Sequence, residues 1–153
     1  MTEGPGVTGG AGASRTRRGR QRAIRAAPHV LIVDDNRALR EVLAGFVRSL
    51  GCEVTEAYSG TTAVTLASRR RPDAVCLDLW MDGTSGLDVL DRLRRDHPGL
   101  PVIIITADPF SDTMQEAQAR GAVAYLAKPF NLEQLRSALV SAVGRWARPT
   151  RDS

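Results

Sequence analysis

Lysine is almost missing from this chain. Of its 21 lysines and arginines, Lys128 is the one lysine, so a compact ammonium stands at that position in a sequence whose other strong cations are guanidinium groups. Cysteine is scarce as well. Cys52 and Cys76 are too few for a disulfide framework, and Cys76 lies in an apolar run where a small thiol packs well, so both are expected to be reduced. No apolar run approaches the roughly 18 residues that a membrane span requires. The run at 29–33, the first after an arginine-rich N-terminus, ends in two aspartates, which is not the pattern of a signal peptide. At 153 residues there is enough chain for one sizeable core and not for two, which leads us to expect a cytoplasmic protein without a separate output domain.

The net charge is +4, and its location decides what it means. Residues 1–28 carry Arg15, Arg17, Arg18, Arg20, Arg22 and Arg25 against Glu3, a balance of +5 that leaves −1 for the remainder. The basic character therefore belongs to a Gly- and Arg-rich tail with too few apolar residues to pack. We expect residues 1–28 to be disordered, save for a helical turn near 20–27, and residues 148–153 likewise, with a folded domain over 29–147.

From His29 onward short apolar runs alternate with segments of helical period. The spacing predicts strands at 29–33, 53–57, 73–77, 102–106 and 123–126. Between them, Leu39, Val42, Leu43, Phe46, Val47 and Leu50 make a helical stripe that stops at Gly51, and Leu87, Leu90 and Leu93 make another before Pro98. The last helix begins at Asn131, which can cap it while Gln134 reaches back. Apolar strands alternating with helices predict an α/β fold, a five-stranded parallel sheet covered on both faces. Its expected form is the doubly wound, flavodoxin-like one with strand order 2-1-3-4-5.

In that architecture ligands bind beyond the carboxyl ends of the strands. The first strand runs into Asp34 and Asp35, the third into Asp78, the fourth ends in Thr106, and the fifth ends just before Lys128. Taken singly, an Asp-Asp pair after a strand is a common helix cap, and a lone lysine is a surface charge. Together they put three carboxylates, a hydroxyl and an ammonium on one rim. Three carboxylates at close quarters repel, so the rim needs a cation, and Mg²⁺ suits a site that must also leave room for phosphate oxygens. A carboxylate can itself attack a phosphoryl group.

The motifs LIVDDN, CLDLWMDGTSG, IIITAD and AYLAKPF, in this order, make the segment from His29 to about Trp146 resemble the receiver domain of two-component response regulators. The resemblance implies that Asp78 is the phosphoacceptor, that Asp35 and Asp78 bind Mg²⁺ directly, that Asp34 assists through water, and that the Trp80 carbonyl is a further ligand. Thr106 and Lys128 would each meet a phosphoryl oxygen, Tyr125 would be the switch aromatic, and the bond before Pro129 would be cis. The phosphodonor would be a sensor histidine kinase or a histidine phosphotransfer protein, and the output an altered affinity for a downstream protein or onward transfer. Such a domain catalyses chemistry only on itself. The sequence departs from the family at Asp82, where a proline is usual. Trp80 and Asp108 fill the two variable positions that tune phosphoryl lifetime in this family.

A phosphatase of the haloacid dehalogenase type is disfavoured, because the second aspartate it needs two positions after the nucleophile is Trp80 here. A second class of function is non-specific nucleic-acid binding through Arg15 to Arg25, which requires charge and no fold. Under that alternative, affinity for duplex DNA falls steeply with added salt and is lost when residues 1–27 are deleted. Unchanged binding by the truncated chain in a salt titration excludes it.

Overall fold

The computed structural model describes residues 27–81, 84–107 and 112–144. The expected disorder of residues 1–28, the helical turn near 20–27, Asp82, Asp108 and Trp146 thus fall wholly or largely outside the described residues. Among the described residues no helix is long and apolar enough to cross a membrane.

Five strands form one parallel sheet: β1 (His29–Val33), β2 (Glu53–Ala57), β3 (Ala74–Asp78), β4 (Val102–Thr106) and β5 (Ala124–Ala127), in the order β2-β1-β3-β4-β5. This is the order the sequence predicts. Every residue of β1, β3 and β4 is buried, which is why these strands read as unbroken apolar runs, whereas the edge strands β2 and β5 carry partly exposed residues.

Two strands differ from expectation by one residue. β3 begins at Ala74 rather than 73, because Asp73 is engaged with the start of β1: its amide donates to the His29 carbonyl, and its carboxylate accepts the His29 amide, both at 2.7 Å. β5 begins at Ala124 rather than 123, its first ladder partner being Ile103. A short antiparallel ladder of Trp80–Met81 against Thr84–Ser85 was not anticipated.

Five helices cover the sheet: α1 (Arg37–Ser49), α2 (Gly60–Arg69), α3 (Gly86–Asp96), α4 (Asp112–Ala119) and α5 (Leu132–Val143). Asn36, Ser59, Ser85 and Asn131 cap α1, α2, α3 and α5 by accepting backbone amides in the first turn. At Asn131 the cap is reciprocal, with the Gln134 side chain accepting the Asn131 amide at 3.0 Å.

Alternate strand residues feed two cores. Leu31, Val33, Val75, Leu77, Val102 and Ile104 pack with α2, α3 and Ala117 of α4. Val30, Ile32, Cys76, Ile103 and Ile105 pack with α1 and α5. Each fully buried aliphatic side chain contributes about 1.5–3 kcal/mol, enough to make the central strands a rigid mount for the groups at their ends. Cys52 and Cys76 are free and buried, and burial pushes both thiols up to about 12, leaving them inert as nucleophiles.

The start of α3 is pressed against the chain leaving β3. The Gly86 amide donates to the Leu79 carbonyl at 3.0 Å, and a Cβ at Gly86 would lie 2.8 Å from both Leu79 Cα and Leu79 O. Those are backbone atoms that cannot rotate aside. Gly86→Ala, ordinarily favourable in a helix, is therefore expected to cost about 1–3 kcal/mol and to lower the midpoint of urea unfolding. A midpoint at or above that of the parent chain would contradict this packing.

Candidate functional site

β1 and β3 are neighbours, so the residues that follow them emerge side by side at the carboxyl edge of the sheet. The Asp34 amide is held by the Ala57 carbonyl of β2 at 3.1 Å, and Asp34 Oδ1 accepts the Asn36 amide at 2.9 Å. Its other oxygen, Oδ2, is buried and has no hydrogen-bond partner among the described residues. Asp78, the last residue of β3, accepts the Trp80 amide on Oδ1 at 3.1 Å and the Lys128 ammonium on Oδ2 at 3.3 Å. Lys128 also pairs with Asp34 Oδ2 at 3.6 Å.

One oxygen from each of Asp34, Asp35 and Asp78 lies within 4.8 Å of the others. Asp34 and Asp78 are 1% and 5% exposed, while Asp35 is open to solvent. Burial, and next to it the charge of Asp34, push the Asp78 carboxyl up from its ordinary value to about 6, against the opposing pull of Lys128 and the Trp80 amide. A hard divalent cation fits this donor set: three carboxylates converge, and Asp34 among them has a buried oxygen without a hydrogen bond.

Thr106 closes β4 and is fully buried, and its carbonyl accepts the Lys128 amide at 2.7 Å. That bond ties the end of β5 to the end of β4 and brings Lys128 over the carboxylates. The Lys128–Pro129 peptide is cis. Tyr125 is half-buried, packs against the core on the face covered by α2, α3 and α4, and is in register with Ile104. Trp80 is 52% exposed at the rim.

Asp34, Asp35, Asp78, Thr106 and Lys128 are therefore all placed at one edge of the sheet, as the sequence predicts, with the Trp80 backbone beside them. His29 stands at the opposite end of β1, bonded through Nε2 to Thr55 Oγ1 at 2.7 Å. One site residue escaped the sequence reading. Arg40 of α1 donates from Nη1 to the Asp34 carbonyl at 2.9 Å and from Nε to Glu56 at 3.1 Å. Its partner lies on another strand, so no local spacing announces it.

Comparison with known proteins gives a consistent result. Residues 30–140 match the family described as the response regulator receiver domain. The probable transcriptional regulatory protein TcrX of Mycobacterium tuberculosis is 38% identical over 124 residues, which are 81% of this chain and 53% of that protein. Sporulation initiation phosphotransferase F of Bacillus subtilis is 34% identical, over 72% of this chain and 89% of that protein. This chain thus spans about half the length of TcrX and nearly all of the phosphotransferase. Among solved structures, the receiver domain of NtrX from Brucella abortus superposes with a TM-score of 0.72 at 32% identity, covering 75% of this chain and 98% of that one. The chemotaxis protein CheY4 of Vibrio cholerae superposes at 0.73 with 29% identity, covering 76% and 99%.

The raised carboxyl of Asp78 has a thermodynamic consequence. Without metal, the folded state holds this proton more tightly than the unfolded chain, so the stabilisation is full below about pH 4 and is lost as pH rises through about 6. Asp78→Asn removes the charge and keeps the shape. It is expected to stabilise the metal-free protein at pH 8 by up to about 3 kcal/mol, with the difference vanishing towards pH 4. Thermal melts in chelator across that range check this, and a pH-independent difference contradicts it.

Proposed function

This chain belongs to the response regulator receiver family, and from that membership we propose that Asp78 is its phosphoacceptor, taking a phosphoryl group from a phosphohistidine. The observation that carries the proposal is the setting of Asp78. It is a buried carboxylate at the end of a central strand, crowded by Asp34, touched by the one lysine of the chain, and neighboured by the end of the strand that carries Thr106.

Asp35 and Asp78 are the proposed direct ligands of a Mg²⁺ ion, with the Trp80 carbonyl as a third and Asp34 acting through water. When bound, the ion supplies positive charge that offsets the clustered carboxylates and the oxygens of the incoming phosphoryl group. The rest is the work of the chain. An oxygen of Asp78 attacks phosphorus, the bond from phosphorus to the donor imidazole nitrogen breaks, and that nitrogen keeps the electron pair. Lys128 and the Thr106 hydroxyl each meet one of the phosphoryl oxygens that gather charge as this happens. The product is an acyl phosphate on Asp78 and a free histidine on the donor.

The donor is proposed to be a sensor histidine kinase or a histidine phosphotransfer protein in the cytoplasm. Because Thr106 and Tyr125 belong to the adjacent strands β4 and β5, drawing Thr106 towards a phosphoryl group vacates space into which Tyr125 turns. The surface around α4 and β5 then changes its affinity for a downstream protein. The name of the sporulation phosphotransferase favours a second outcome at the same residue, passage of the phosphoryl group onward to another histidine.

Incubation with Mg²⁺ and a small phosphodonor such as acetyl phosphate, followed by intact mass measurement, is expected to show one added phosphoryl group. Chelator abolishes it, and so does Asp78→Asn. Lys128→Arg keeps the charge but replaces a point donor by a planar fork, and is expected to slow phosphorylation about tenfold or more while leaving the melting curve in place. A mass increase that survives in Asp78→Asn contradicts the assignment, and wild-type rates in Lys128→Arg contradict the role of the lysine.

A further inference from the structure

Arg40 lies one turn into α1, and its side chain is only 14% exposed. It joins three pieces of the chain. Nε donates to Glu56 Oε1 on β2 at 3.1 Å, and Nη1 donates to the main-chain carbonyl of Asp34 at 2.9 Å. Glu56 is braced in turn by Arg48, whose Nη2 lies 3.6 Å from Glu56 Oε2.

The two peptide groups that flank Asp34 are thereby both fixed. The one before it donates its N–H to the Ala57 carbonyl, and the one after it, shared with Asp35, gives its carbonyl to Arg40. The orientation of that second peptide sets where Asp35 leaves the backbone. Asp35 is exposed, whereas Asp34 and Asp78 are buried, and the direction of the main chain contributes to where its carboxylate lies. Neutralising the carboxylates is not the task of this guanidinium. Lys128 stands between Asp34 and Asp78, while Arg40 is paired with Glu56, whose charge offsets its own.

We infer that Arg40, oriented by Glu56, is a positioning residue for the metal-binding carboxylates: by clamping the Asp34–Asp35 peptide it aims both side chains at the place beside Asp78 where a divalent cation is held. This rests on the reading of Asp34, Asp35 and Asp78 as the Mg²⁺ site. Glu56 belongs to the same device, because without its carboxylate the guanidinium loses the partner that turns Nη1 towards Asp34.

Electrostatics and positioning make opposite forecasts, which allows a decision. If Arg40 were a bystander cation near an acidic site, removing its charge would tighten Mg²⁺ binding, and Arg40→Lys would behave like the parent chain. If it positions the ligands, Arg40→Met and Arg40→Lys both weaken Mg²⁺ binding, by about ten- to a hundredfold, since neither side chain can span the Asp34 carbonyl and Glu56 at once. Glu56→Gln keeps an acceptor for Nε and is expected to fall between these and the parent.

The experiment is a calorimetric titration of Mg²⁺ into the full chain and each variant, paired with melts in chelator that report whether the metal-free fold persists. Weakened binding in Arg40→Lys with a retained cooperative melt supports the inference. Parent-like binding in Arg40→Lys, or tighter binding in Arg40→Met, overturns it. Should Arg40→Met fail to melt cooperatively, Arg40→Lys and Glu56→Gln carry the decision. A parent chain that takes up no Mg²⁺ overturns the reading of the site itself, and the inference with it, before any variant is compared.

Discussion

Asp34 and Asp78 sit almost fully buried at the ends of adjacent strands, and their mutual repulsion is the constraint on which the rest of this structure turns. Burial alone penalises each negative charge, and placing two together adds to the cost. A single ammonium answers both, at 3.3 Å from Asp78 and 3.6 Å from Asp34. With Asp35 close by, one oxygen from each of three carboxylates lies within 4.8 Å of the others. Such a cluster suits a divalent cation and the chemistry that such an ion supports. The strain is held in place by the sheet rather than relieved by it.

The order of the strands explains how so unfavourable a cluster persists. β1 and β3 are central, buried along their whole length and packed on both sides, so their carboxyl ends cannot drift apart. β4 and β5 follow in sequence across the sheet, and the bond from the Lys128 amide to the Thr106 carbonyl holds the lysine-bearing turn against the end of β4. Leu79, immediately after Asp78, is tied on both sides: its amide donates to Ile105 and its carbonyl accepts from Gly86. The segment that follows Asp78 therefore begins from a fixed point at β4 and is pinned again by the first residue of α3. Glycine is required there because the backbones approach too closely for any side chain.

Much of this could be read from the residues. Uninterrupted apolar runs disclosed the buried strands, helical stripes disclosed the covering helices, and the rule that doubly wound sheets bind ligands at their carboxyl ends directed attention to Asp34, Asp35, Asp78, Thr106 and Lys128. What could not be read depends on contacts between distant segments. The strand at 73 starts a residue late because Asp73 spends its hydrogen bonds on His29, 44 residues away in sequence. The short ladder of Trp80–Met81 with Thr84–Ser85 has only two residues on each side, too few for a periodic signal, although the Asp82-Gly83 pair between them is a recognised hairpin sequence. Arg40 shows the limit most clearly. Its spacing on α1 is that of any solvent-facing arginine, and only the pairing of β1 with β2 brings Glu56 within its reach.

The single lysine and this one arginine illuminate each other. Asp78 Oδ1 accepts the Trp80 amide, so Lys128 meets Asp78 through Oδ2, and the other oxygen it meets, Asp34 Oδ2, lies at the end of a different strand. A planar fork that seeks two oxygens of one carboxylate finds no such pair here, whereas a rotatable point donor can serve one oxygen from each. At Arg40 the demand is reversed. The acceptors are a carbonyl and a carboxylate with fixed directions, and a rigid guanidinium that donates from two nitrogens holds both at once. The chain thus places a flexible charge where anions must be shared and a rigid fork where a peptide must be kept still. That division follows from the geometry of the two side chains, and it accounts for a lysine at position 128 in a protein that otherwise uses arginine.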